Sequence, residues 1–288
     1  MKNRIWAIAL LLLPLAAVAQ HDDFIGRSDI LLSGGGMNYI GDLNNQSVFG
    51  RVHPAFSGGL RYRLDKRWAL RGEVAYGALS GGNPDCIERR NLSFRTDLFE
   101  GVLLGEFSFW PYGFGSTDHN WALYMFGGVG VFHFNPMAKY SVGEGMEEWA
   151  ALQPLHTEGQ GTLEYPDRRP YKLTEVCFPF GMGAKFLIGK TVSLSVEYGF
   201  RKTLTDYIDD VSKTYVGGDL LRESVENGEL AATLADRSGE VVPGYVNAPG
   251  IKRGDDSLDD WYSYFHVSVG FSLETLMGWM RSKRCRIR

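Results

Sequence analysis

From Thr191 the chain reads "TVSLSVEYGFRKT", which sets Val192, Leu194, Val196, Tyr198 and Phe200 against Ser193, Ser195, Glu197, Gly199 and Arg201. Successive side chains of a strand leave opposite faces of a sheet, so a strict two-residue period means a β-strand with one apolar and one polar face. The period returns along the chain. Phe56, Leu60, Tyr62 and Leu64 oppose Ser57, Gly59, Arg61 and Arg63; after a tight Asp65-Lys66 turn, Trp68, Leu70, Val74 and Tyr76 oppose Arg71, Glu73 and Ala75. Phe99, Leu103, Phe107 and Phe109 oppose Glu100, Glu106 and Ser108, and Val176, Phe178, Phe180, Met182, Phe186 and Ile188 oppose Glu175, Cys177, Gly181, Gly183 and Lys185. Trp261, Phe265, Val267, Val269 and Phe271 then oppose Tyr262, Tyr264, His266, Ser268 and Ser272. Two further segments, 29–40 and 121–134, are strand-like but so rich in glycine and apolar residues that alternation assigns them no faces.

Eight such segments, each about 10 to 13 residues, are long enough to cross a bilayer when tilted. A soluble barrel hides its apolar face inside, whereas a membrane barrel turns it to lipid. Connection lengths favour the membrane: 65–67 and 189–190 are tight and 110–120 moderate, while 135–170 and 204–260 are long, the asymmetry of periplasmic turns and external loops. Aromatic residues mark the ends of the apolar faces, as at Trp68, Tyr76, Phe99, Phe109, Phe200, Trp261 and Phe271. The expected fold is all-β, an eight-stranded antiparallel transmembrane β-barrel of OmpA-like size over residues 20–273. Its polar face would bring Arg61, Arg63, Arg71, Lys185 and Arg201 against Glu73, Glu100, Glu106, Glu175 and Glu197 in the lumen. Eight strands enclose little space and balanced charges select no ion, so this reads as an ion-paired plug and not as a pore.

The first nineteen residues have the layout of a cleavable secretory signal: Lys2 and Arg4, an apolar run from Ile5 to Val18, then small residues at Ala17 and Ala19. Without Lys2 and Arg4 the 30 basic residues become 28, against 34 acidic ones, which argues against nucleic acid as a partner. No later stretch has the roughly 18 to 20 consecutive apolar residues of a membrane helix. The expected location is the outer membrane, with outer-membrane lipid around the barrel and both termini in the periplasm. Cys86, Cys177 and Cys285 are too few for a disulfide framework, and an odd number leaves one thiol over. A bond between Cys86 and Cys177 has weak support. Residues 274–288 form a basic tail that ends "RSKRCRIR", placing Cys285 among Arg281, Lys283, Arg284, Arg286 and Arg288.

Chemistry-bearing patterns are sparse. His266-Val267-Ser268 is similar to the His-x-Ser pair of certain lipid A deacylases, yet alternation turns both residues inward, away from lipid, with only Glu274 nearby in sequence as a third member. Asp42, Asp206, Asp209 and Asp210 could line a calcium site but lack regular spacing, and they read better as strand-end caps or solvated loop carboxylates. "GGVGVF" at 127–132 sits inside a strand and opens no helix, so it is no phosphate loop. His21-Asp22-Asp23 reads as a solvated lead-in. No catalytic, cofactor or metal site is expected, and the protein reads as a non-enzyme.

Three stretches, "GGGMNYIGDLNN" from Gly34, "LHTEGQGT" from Leu155 and "EYGFRKTLTDYIDDVSKTY" from Glu197, together resemble the PorG family of outer-membrane barrels of the type IX (Por) secretion system. The resemblance runs over nearly the whole mature chain. It implies a barrel bound from the periplasm by the ring of the lipoprotein PorK and of PorN, anchoring that ring during protein export. The motifs at Asp42, 157–161 and 206–212 fall on external ends or loops, so ring contacts would lie at the short-turn end. The tail is the distinctive segment there, and Cys285 could form an intermolecular disulfide with a ring partner. The alternatives are a lipid A-modifying enzyme and a general structural barrel.

Overall fold

The computed structural model describes residues 28–44, 50–82, 90–112, 119–143, 145–189, 191–274 and 277. The leader, Cys86 and the tail from 278 lie outside the described residues. Ten strands follow in chain order: β1 (Ser28–Ile40), β2 (His53–Arg63), β3 (Trp68–Gly82), β4 (Ser93–Ser108), β5 (Trp121–Phe134), β6 (Met137–Gly143), β7 (Met146–Ala151), β8 (Thr174–Ile188), β9 (Val192–Thr203) and β10 (Trp261–Ser272). Eight of them close a barrel through antiparallel pairs β1–β2, β2–β3, β3–β4, β4–β5, β5–β8, β8–β9, β9–β10 and β10–β1. Closure pairs each barrel strand on both sides through the outward apolar band, which a wall in lipid requires because unpaired backbone groups have no water to meet there.

The polarity is that of an outer-membrane barrel. Phe56, Leu60, Val74, Leu103, Val131 and Met182 are exposed outward, whereas Arg61, Arg71, Glu106 and Glu197 are fully buried inside. Trp68 and Trp121 mark the short-turn end of the outer band; Tyr76, Phe99 and Phe178 mark the other end.

The glycine-rich strands resolve simply. Along β5, Tyr124, Phe126, Phe132 and Phe134 are buried inward, and Trp121, Leu123, Met125, Val129 and Val131 face out. Along β1, Leu31, Met37 and Tyr39 are buried inward and Leu32 faces out. Both faces are apolar over these stretches, so alternation had nothing to contrast.

Three features depart from the sequence reading. β3 and β4 are 15 and 16 residues long and stay paired out to Gly82 and Ser93, well past Tyr76 and Phe99. Outward positions on that extension carry Ser80, Arg95 and Asp97, because ladder pairing needs no apolar face once the wall leaves lipid. The connection expected as a long loop over 135–170 contains the β6–β7 hairpin, which pairs with the barrel's strands at Arg95 and Met137. The long connection 204–260 likewise holds two short helices, α1 (Gly218–Ser224) and α2 (Gly228–Ala235).

The interior has two levels. The half near the short turns is ionic. In the half near the long loops, Met37, Tyr39, Leu79, Phe94, Leu98, Phe132 and Phe134 form a buried, mostly apolar cluster continuous with Ile208 and Val211 and with Leu221, Ala231 and Leu234. The long connections therefore form a cap whose core is the upper core of the barrel.

Candidate functional site

Period-two alternation places the lumen side chains, and strand pairing fixes their depth. Arg61 on β2 lies directly opposite Arg71 on β3, a like-charge pair that is unfavourable by itself. Glu106 of β4 offsets it: Arg61 Nε donates to Glu106 Oε1 at 3.0 Å, Arg71 Nε is 3.3 Å from the same oxygen, and Lys185 Nζ reaches Glu106 Oε2 at 3.3 Å. Arg71 also grips Glu197 across the lumen with both terminal nitrogens, one at 2.6 Å from Oε2, and lies 3.3 Å from Glu73. Tyr124 donates to the same Glu197. Higher up, Arg201 donates to both oxygens of Glu100, at 3.1 and 3.4 Å, and Tyr262 donates to Glu100 at 2.7 Å.

Glu175 stands apart from this set. It is the second residue of β8, half-buried opposite Phe132 at the long-loop rim, and no ion pair reaches it among the described residues. Alternation gives a face but not a depth, and Glu175 has the right face at the wrong height. The fifth anion is instead Asp29 on β1, which accepts a 2.5 Å bond from Arg63. Asp29 lies in the strand whose faces alternation could not assign.

The short-turn end is stoppered by Tyr112, 2% exposed, whose ring lies 5.1 Å from Lys185 Nζ and 5.9 Å from the Arg63 guanidinium carbon. Its amide donates to Lys66 O at 2.9 Å, which ties Tyr112 to the turn between β2 and β3. The sequence gives no signal for this beyond an aromatic beside Pro111.

His266 and Ser268 are both buried in the lumen and do not bond each other. His266 Nε2 is 3.6 Å from Glu197 and its ring stacks on Tyr264 at 4.3 Å; Ser268 shares a 2.8 Å bond with Ser33. Glu274 is engaged elsewhere, accepting from Ser28 N at 3.1 Å. Neither member of the pair reaches lipid. Gly128, within "GGVGVF", is needed for strand approach, since a Cβ there would fall 2.0 Å from Leu103 O. Cys177 is a buried free thiol, 3.8 Å from the Tyr262 hydroxyl.

In the cap, 157–161 packs against 205–214. The Glu158 carboxylate accepts from the amides of Ser212 at 2.9 Å and Lys213 at 3.0 Å, from Arg253 at 3.1 Å and from the Tyr207 hydroxyl at 3.2 Å. Asp210 accepts from Thr157 at 2.5 Å and Tyr171 at 2.7 Å, and Arg253 lies 3.6 Å from it. Gly159 has φ +71°, and a Cβ would press to 3.2 Å from Tyr165 and Val216, so this turn needs glycine. Asp206, Asp209 and Asp210 are thus buried, not solvated, because the loops fold down over them. Burial raises all three carboxyls: Asp206 to about 9, Asp209 to about 8 and Asp210 to about 6, Arg253 holding the last lower than burial alone would. Among the described residues no group of three or more His, Cys, Asp or Glu is arranged to hold a metal ion. Glu158 lies within the "TEGQG" motif at 157–161, whereas Arg253 carries no signal in the sequence.

No family model and no curated protein matches this chain. Among solved structures it is similar to Ail of Yersinia pestis in complex with the heparin analogue sucrose octasulfate, at 10% identity and a TM-score of 0.39 over 85% of this chain and 96% of that one. Neisserial surface protein A is similar at 8% identity and 0.39 over 87% and 100%. The N-terminal barrel domain of Pseudomonas aeruginosa OprF is similar at 10% identity and 0.32 over 86% and 99%.

Proposed function

We propose that the chain is a non-enzymatic, non-conducting outer-membrane barrel that serves as a membrane anchor for a periplasmic assembly. The observation that carries this reading is the filled interior. Five buried cations, five buried anions, Tyr112 and an apolar upper core occupy the lumen, and an interior packed with paired charges supports a scaffold over a pore. The burial of His266 and Ser268 inside the wall weighs against lipid A chemistry.

The partner follows from the resemblance of the motif stretches to the PorG barrels: the ring of PorK and PorN, met from the periplasm. The mutual packing of 157–161 with 205–214 supports a shared cap and leaves the short-turn end, where Ser28 and Ser272 also lie, as the docking end. The basic tail with Cys285 would extend from that end. Affinity purification in mild detergent, run with and without reductant, tests the reading: a ring lipoprotein should co-purify, and its link through Cys285 should vanish with reductant or in Cys285→Ser. Clean isolation of the barrel alone, together with normal export in a deletion strain, would favour a general structural barrel instead.

A further inference from the structure

Tyr39, fully buried at the long-loop end of β1, has its hydroxyl oxygen 2.7 Å from Asp209 Oδ2 and 2.6 Å from Asp260 Oδ1. A phenol carries one hydrogen and can donate to one carboxylate only. At the second contact, two oxygens at hydrogen-bond distance need a proton that the phenol cannot supply. The remaining carboxylate oxygens are committed as acceptors, Asp209 Oδ1 from the Val211 amide and Asp260 Oδ2 from the Ile208 amide, both at 2.9 Å. An additional proton therefore has its place on the carboxyl oxygens that face Tyr39.

The surrounding charge favours holding that proton. Asp42 faces the group from the β1–β2 connection and Asp206 from its own loop, with Glu158 behind Asp206. The facing cation is Arg253, already engaged by Glu158 and Asp210. Among the described residues no Lys or Arg bonds to Asp209 or Asp260, and the carboxylates do not converge on a metal position.

We propose that Tyr39, Asp209 and Asp260 form a one-proton latch that fastens the cap segment 205–212 to the barrel wall and lets go as pH rises. The latch joins three chain regions, because Ile208 and Val211 on the cap are held by the same carboxylates that hold Tyr39 on the wall. Burial raises both carboxyls and each raises the other, so the pair holds a proton well above the ordinary carboxyl range. The sign follows. The closed cap keeps a proton that the opened, solvated carboxyl releases above about pH 4, so closure weakens by about tenfold per pH unit above that, until the closed pair itself releases the proton.

The test is hydrogen exchange of 205–212 in the full-length protein in detergent between pH 5 and 8, expressed as an opening constant after correction for intrinsic exchange. Asp206 and Asp210 add to the total slope, so variants isolate the latch. Asp260→Asn or Asp209→Asn replaces the protonated carboxyl with a neutral donor of the same shape. Each single variant should stay closed and lose one proton from the slope, a tenfold smaller change per pH unit. Asp209→Asn with Asp260→Asn leaves the Tyr39 hydrogen without an acceptor, and the cap should open more readily at every pH. A wild-type opening constant independent of pH, single variants with the wild-type slope, or closure restored at pH 8 by millimolar calcium would overturn the proposal. The wild-type measurement decides by itself if a variant does not fold.

Discussion

Arg61 and Arg71 occupy directly opposed positions on β2 and β3, two guanidinium groups side by side in a wall where neither meets water. Glu106 makes the arrangement tenable, since one carboxylate faces both arginines and Lys185. Replacing Glu106 with Gln should therefore cost about 3–5 kcal/mol, the scale of an uncompensated buried charge. Adding Arg61→Met to Glu106→Gln should recover most of the loss despite removing another native partner. Urea unfolding followed by the heat-modifiable gel shift of the barrel would measure both; a double variant no more stable than the single one would refute the charge argument.

Lipid-facing positions should report depth. Leu103 pairs with Gly72 midway along the outer band, so Leu103→Arg is expected to cost about 2–4 kcal/mol. Asp97→Arg, on the polar extension of the same strand, should cost less than about 1 kcal/mol. Equal penalties at the two sites would mean that the band is not where its aromatic borders put it.

Removal of the Glu158 carboxylate should loosen the cap and spare the wall. Glu158→Ala takes away the acceptor for the Ser212 and Lys213 amides and leaves Arg253 with Asp210 as its anionic partner among the described residues. Proteolytic nicking within 204–260 should increase at least tenfold, while the barrel band on a gel stays folded. Unchanged nicking would show that the cap is held by its apolar core alone.

Cys177 should be silent to maleimide in the folded protein and react on unfolding, measured in a Cys86→Ser, Cys285→Ser background. Rapid labelling of folded protein would mean that the upper core admits solvent. For the neighbouring lumen pair, His266→Ala should leave lipid A unaltered by mass spectrometry.

Most of the barrel was legible because lipid outside and charge inside produce the two-residue period directly, as in β9. Where both faces are apolar the period loses its contrast, and with it went the faces of β1 and β5 and the role of Asp29. The misplaced Glu175 has another cause, since period fixes side but height depends on register across partners. The cap was least legible. Its key pair, Glu158 and Arg253, is separated by 95 positions, and its helices are seven and eight residues long, too short to announce themselves without the packing that holds them.

The shared core of cap and barrel has a consequence for how this surface can vary. In a barrel with free loops, the exposed connections can drift or take insertions with little cost to the wall. Here the segment 205–212 contributes Ile208 and Val211 to the interior, and changes there reach down into the wall. The β6–β7 hairpin near Val142 and Met146, both exposed, places no residue of its tip in that core among the described residues. Antigenic change, epitope tags and engineered insertions should be tolerated at that hairpin, whereas 205–212 should evolve at the pace of a protein interior.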